Sequence, residues 1–310
     1  MSRAWILGLA AVIAAISALP AVGRYVLDGK EAHALLRVDV QYASPKGTSS
    51  RRLVVALGGP VYCDQVAALS RFLRASVLCP DYGRDGERSG ASRAKRVEDW
   101  GDPAYLAAVA RLARRMVAGG RERSQLILVG ASYAGYAAAE LAATHPELRP
   151  RALIVVDSFL DLRARFRALA PGQATRAEMI QVLGGTPAQH PLAYRRRSPS
   201  AHLAGLASAI RHGMRFVDVW SVGAKEAREF SGAMCQRRAN AFWLRRLSRL
   251  LHRPVTGYVT HLQHARALWD WWRQLLALAG LTTTRYPLPA AAYRFRAGEA
   301  IHAGSYCRAG

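Results

Sequence analysis

Strand and helix signals alternate along this chain, which predicts an α/β fold with a mostly parallel central sheet and helices on both faces. Three continuous apolar runs, Leu53 to Leu57, Leu126 to Val129 and Leu153 to Val156, have the composition of strands buried on both sides. Between them apolar residues recur at helical spacing, in Val66, Leu69 and Leu73, from Asp102 to Val117, and from Tyr133 to Thr144.

The remaining elements come in chain order. Ala34 to Tyr42 alternates and is β-rich, and Ser44-Pro45-Lys46-Gly47-Thr48 reads as a turn. Gly58-Gly59-Pro60 stops the first buried strand. Ser76 to Cys79 is a short strand ended by Pro80-Asp81-Tyr82-Gly83, and Gly83 to Ser92 is a Gly-, Ser- and charge-rich loop. Phe159 to Ser200 holds Arg-rich helical stretches around a turn at Gly184-Gly185-Thr186-Pro187, the length of a small cap excursion. Regularity then resumes with strand Phe216 to Val222, helix Ala233 to Leu251, strand Val255 to Thr260 and helix Ala265 to Leu278. There is no internal repeat and no long linker, so residues 24–310 are expected to form one domain.

The 310 residues are 51% hydrophobic and 21% charged, which excludes disorder as the main state. Only Ala4 to Val22 approaches the ~20 apolar residues needed to cross a bilayer, which excludes a polytopic membrane protein. Met1-Ser2-Arg3 is a short positive region, Trp5 to Leu19 an uncharged apolar one, and Ala21-Val22-Gly23 offers the small residues of a cleavage site. Residues 1–23 are therefore expected to be a signal peptide or an N-terminal membrane anchor. The chain is expected outside the cytoplasm, periplasmic or secreted.

Lys and Arg number 44 against 21 Asp and Glu, a net charge of +23. Lysine occurs only at Lys30, Lys46, Lys95 and Lys225, and arginine is spread along the chain, with Arg195-Arg196-Arg197 the one like-charge block. No basic run is interleaved with aromatics as a base-stacking groove requires, so no nucleic-acid partner is expected and the arginines are expected on solvated helix faces. Four cysteines in an exported chain suggest two disulfides. No CxxC and no Cys/His cluster occurs, so no metal is expected. Cys63 follows one strand and Cys79 ends the next, which places both at one sheet edge and pairs them; Cys235 and Cys307 then pair by elimination.

Leu126 to Gly135 runs strand, sharp turn, helix, with Ser132 at the apex. Small residues on either side, Gly130 and Ala134, let such a turn close and lift the hydroxyl out at the carboxyl edge of the sheet, where it can act as a nucleophile. The oxyanion formed by attack needs donors. One is the backbone N–H of Tyr133 at the helix start. The other comes from the loop after Leu57, where Pro60 has no N–H, leaving Gly59, Val61 or the Tyr62 hydroxyl.

These residues resemble an α/β-hydrolase, and more narrowly the catalytic domain of prolyl-oligopeptidase-type serine hydrolases and esterases. Leu57-Gly58-Gly59-Pro60 echoes that family's HGGP loop, and Gly130 to Gly135 its GxSYGG elbow. Leu183-Gly184-Gly185-Thr186-Pro187, Pro191, Tyr194 and Arg197-Ser198-Pro199 match its LGGTPxxxPxxYxxRSP stretch. Leu57 replaces the loop histidine, Ala134 replaces a glycine, and no β-propeller is expected before the hydrolase. The resemblance implies the order Ser, acid, His. Gly223-Ala224-Lys225-Glu226 then resembles the family's HGxxD, with Glu226 at the acid position; Asp218 is the rival, placed mid-strand. His264, after a short loop, is preferred as the base to His261 at the strand end. The resemblance thus implies a serine hydrolase that cleaves carboxylic esters through an acyl-enzyme, with no cofactor. A peptidase releasing small N-terminal units and a catalytically inactive binding protein of the same fold are the alternatives.

Overall fold

A computed structural model of the chain describes residues 23–28, 36–43, 52–57, 60–84, 100–118, 126–221, 231–260, 262, 264–287 and 293–296; of 23–28, 36–43, 60–65, 81–84, 118, 231–239 and 293–296 it describes the backbone alone. The described strands are β1 (Gly23–Asp28), β2 (Leu36–Ala43), β3 (Leu53–Val55), β4 (Ser76–Arg84), β5 (Leu126–Ala131), β6 (Ala152–Val156), β7 (Arg215–Ser221), β8 (Thr256–Thr260) and β9 (Tyr293–Arg296). They form one sheet in the order β1-β2-β4-β3-β5-β6-β7-β8-β9. From β4 to β8 neighbouring strands run parallel, with Val54 opposite both Val77 and Ile127, Leu128 opposite Leu153, Ile154 opposite Val217, and Trp220 opposite Val259. β1, β2 and β9 close the two ends antiparallel.

The apolar runs are continuous because both faces of these strands are covered. On one face Val54, Ile127, Val129, Ile154, Val217 and Val219 meet α1 (Pro60–Leu73), α9 (Ala267–Asp270) and α10 (Trp272–Leu278). On the other, Val55, Leu128, Leu153, Val155 and Trp220 meet α2 (Pro103–Ala118), α3 (Ser132–Thr144), α7 (Leu203–Arg211) and α8 (Ser231–Leu251). Between β6 and α7 the excursion carries α4 (Leu162–Ala168), α5 (Ala174–Leu183) and α6 (Pro191–Arg196).

Several elements depart from the sequence reading. β4 runs through Pro80 to Arg84 instead of ending at Cys79, because beyond Leu78 it has a partner only in β2, and a missing N–H on the unpartnered side breaks no ladder. The helix expected from Ala265 to Leu278 is split into α9 and α10 at Trp271, whose φ of −113° and ψ of 15° leave the helical region. β1, α7 and β9 have no counterpart in the sequence reading: the first opens at Gly23, the last residue assigned to the export segment, and the others are short. Of the described residues, no helix is long and apolar enough to cross a membrane; Ala4 to Val22 lies outside them. Cys79, buried in β4, is disulfide-bonded. The side chains of Cys63, Cys235 and Cys307 lie outside the described residues.

α3 is buried on every side from Tyr133 to Ala143. Its alanines let α7 approach so closely that a Cβ at Gly205 would overlap the carbonyl oxygen of Ala143. Gly205→Ala gains about 0.5–1 kcal/mol of helix propensity. Prising α3 from α7 costs about 1–3 kcal/mol, so the net effect is destabilisation. A denaturant midpoint equal to or above wild type would show that this contact yields freely.

Candidate active site

β5 delivers the chain to Ser132, which takes up φ of 52°, a left-handed conformation that a residue with a side chain adopts only under constraint. The constraint is space. A Cβ on Gly130 would lie 2.5 Å from the carbonyl carbon of Ala134 and 2.7 Å from the nitrogen of Gly135, and one on Gly135 would lie 2.8 Å from the Gly130 oxygen. Ala134, read from the sequence as the second small position, faces this contact with its backbone, and Gly135 is the position that must lack a side chain. The Ser132 hydroxyl thereby stands half-buried at the carboxyl edge of the sheet.

α3 starts at Ser132 with no acidic residue in its first turn and no side-chain cap from Ala131. The N–H of Tyr133 is thus in the first turn, where the helix dipole is positive. β3 is the neighbour of β5, and α1 begins at Pro60 just beyond it, so the backbone of Val61 occupies the first turn of a second helix at the same edge. Gly59 lies outside the described residues.

β6, the next strand, ends at Val156, and Asp157 turns out of it with φ of 51°, nearly that of Ser132. Its carboxylate accepts hydrogen bonds from the Ser221 N–H, from the Ser221 Oγ at 2.6 Å and from the Ala265 N–H at 2.8 Å. The same Oδ2 lies 3.9 Å from Nδ1 of His264, with the carboxylate side chain 7% exposed and the imidazole 46%. Asp157 is thus fixed by the end of β7 and by the turn after β8, beside the histidine that the sequence singled out. Asn240 of α8 secures the loop after Asp157, donating from Nδ2 to the Ser158 oxygen at 2.9 Å and accepting from the Leu160 N–H at 3.0 Å.

Asp157 was not singled out from the sequence, which pointed to a carboxylate one strand later. The available signal was a carboxylate immediately after an uninterrupted apolar strand, the position Ser132 occupies after β5. Glu226 and His261 lie outside the described residues. Asp218 is fully buried in the middle of β7.

Beneath the elbow Tyr133, Trp100, Tyr136 and Phe159 form one aromatic cluster, the Tyr136 and Phe159 rings stacked at 4.7 Å and Trp100 edge-on to Tyr133 at 5.6 Å. The excursion is tied down by the conspicuous sequence stretch. Gly184 ends α5 with φ of 81°, and the buried Tyr194 donates to the Gly185 oxygen at 3.0 Å, its hydroxyl pushed up to about 12 by burial. Ser198 accepts from the Leu162 N–H and donates to the Tyr194 oxygen, and Asp161 caps α4 through the N–H groups of Arg163 and Ala164. This stretch knots the excursion back onto the end of β6.

The sequence profile of the alpha/beta hydrolase family matches residues 53–300, and the chain belongs to that family. No curated protein matches the sequence. Its fold is similar to that of EstE1, a thermostable carboxylesterase from a metagenomic library (TM-score 0.51, 16% identity, covering 79% of this chain and 83% of that one). It is similar to carboxyl esterase 2 of the fungus Tuber melanosporum (0.52, 16%, 87% and 94%). It is also similar to a puromycin-hydrolyzing peptidase of Mycobacterium tuberculosis (0.54, 18%), covering 85% of this chain but only 40% of the peptidase.

Burial, and then the neighbouring Asp157 charge, hold the Asp218 carboxyl well above the usual 3.8, with the Trp220 indole offsetting part of the effect. Neither carboxyl oxygen makes a well-formed hydrogen bond. A raised folded-state value means a contribution to stability that is complete below the unfolded value and is lost as pH rises through the folded one. Asp218→Asn, neutral throughout, is therefore expected to gain stability over wild type as pH climbs above the usual carboxylate value, while keeping its activity. A pH-independent difference in melting temperature would contradict this.

Proposed function

We propose that the chain is an exported serine hydrolase that cleaves carboxylic esters, with Ser132 as nucleophile, His264 as base and Asp157 as the acid that orients it. The observation that carries this reading is the convergence of three strand ends: Ser132 left-handed after β5, Asp157 left-handed after β6, and His264 after β8 with Nδ1 3.9 Å from the carboxylate. A separation of that size is common in the free state of such sites and shortens when substrate binds.

In the reaction, Ser132 Oγ attacks the ester carbonyl carbon while its proton passes to Nε2 of His264, and Asp157 stabilises the imidazolium that results. The oxyanion is met by the Tyr133 N–H and by the N–H of Val61 at the start of α1 or that of Gly59. Collapse breaks the bond to the alcohol oxygen, which takes the proton from His264. Water then repeats the sequence on the acyl-enzyme, releasing the acid and restoring Ser132. The apolar Trp5 to Leu19 and the disulfide at Cys79 support export through residues 1–23, and the sheet-edge argument favours Cys63 as the partner of Cys79.

Steady-state kinetics on a panel of chromogenic acyl esters and aminoacyl or dipeptidyl anilides test the proposal. Esters should be turned over and anilides not. Ser132→Ala and His264→Ala should each lose several orders of magnitude in kcat with an unchanged fold, and Asp157→Asn about 10³–10⁴-fold. Glu226→Gln should stay near wild type. A dead Glu226→Gln beside an active Asp157→Asn would move the acid to Glu226, and turnover of anilides alone would make the enzyme a peptidase.

A further inference from the structure

α8 has two unlike faces. Inward, Asn240, Ala241, Leu244 and Leu247 are buried against the core. Outward, Phe242, Arg245, Arg246, Arg249 and Leu250 are exposed at the spacing of a single helical stripe, with Phe242 48% and Leu250 39% accessible. Trp243 flanks the stripe, its ring 4.9 Å from that of Phe242 and 5.1 Å from the Arg246 guanidinium. Exposed Arg253 extends the stripe, and Arg211 joins it from α7, donating to the Leu250 oxygen at 2.7 Å.

This face carries charge of one sign. The sequence has no Asp or Glu from Ser231 to Thr260. Among the described residues no carboxylate lies within ion-pairing distance of Arg245, Arg246, Arg249 or Arg253, whereas elsewhere on the surface Arg266 is paired with Asp270 at 3.1 Å. A helix face that merely faces water mixes both signs and has no reason to expose Phe and Leu between its arginines. Arginines with interspersed Phe and Leu are the composition of a helix that lies in a membrane interface, guanidinium groups on phosphates and apolar side chains at the acyl boundary. A convex helix bearing an aliphatic side chain between its cations offers no groove for stacked bases.

We propose that the outward face of α8 docks on an anionic phospholipid surface. Such docking is independent of the reaction carried out at the sheet edge.

Vesicle co-sedimentation of the full chain tests it, with phosphatidylcholine vesicles setting the baseline for any contribution of the apolar N-terminal segment. Vesicles containing about one-third phosphatidylglycerol should bind at least about tenfold more tightly than the neutral ones, and added salt should erase the difference. The folded double variant Arg245→Glu/Arg249→Glu should lose that difference, and Phe242→Ser/Leu250→Ser should reduce it. Arg114→Glu/Arg115→Glu, which reverses two exposed arginines of α2, should keep it. Equal binding to both vesicles, an equal loss in the α2 variant, or tighter binding of a short DNA duplex than of anionic vesicles would each overturn the proposal.

Discussion

The close approach of Gly130 to Gly135 is the contact on which the site depends. β5 must turn directly into α3, and the turn closes only because neither glycine carries a Cβ that would sit within 2.9 Å of its neighbours. Ser132 bears the consequence as a left-handed backbone, at a cost of about 1–3 kcal/mol that the complete burial of α3 offsets. Without that burial the turn would relax and the hydroxyl would no longer stand at the edge of the sheet.

Parallel strand order does the rest. Because β5, β6, β7 and β8 are successive neighbours, the residues that leave their carboxyl ends meet in one place. Asp157 is held by the Ser221 N–H and hydroxyl at the end of β7 and by the Ala265 N–H just past His264, so one carboxylate ties together the ends of three strands. Asp218, one strand away, is fully buried, and burial holds its carboxyl well above the usual carboxylate range, while Asp157 is held by hydrogen bonds at the strand ends. Asn240 links this rim to α8, whose opposite face is the arginine stripe.

The fold was legible because periodicity and burial agree. Leu53 to Leu57, Leu126 to Val129 and Leu153 to Val156 are apolar on both faces and became β3, β5 and β6, and the sharp turn at Ser132 was legible because small residues around a serine that follows a strand let such a turn close. The misses have local causes. Pro80 reads as a strand stop, yet the sheet supplies a partner on one side alone and tolerates it. Trp271 interrupts what is a continuous apolar pattern from Ala267 to Leu278, since pattern records which side is buried and not where the axis bends. Asp157 escaped because its placement comes from contacts with Ser221 and Ala265, 64 and 108 residues distant, which no local pattern encodes.

In the proposed mechanism the constrained turn at Ser132 presents an activated hydroxyl. Treating the folded chain with a fluorophosphonate probe and locating the adduct by peptide mass spectrometry tests it most directly. Stoichiometric phosphonylation is expected at Ser132, abolished by prior heat unfolding and strongly slowed in Asp157→Asn. An adduct on Ser221 or Ser158, or no adduct on folded protein, would contradict it.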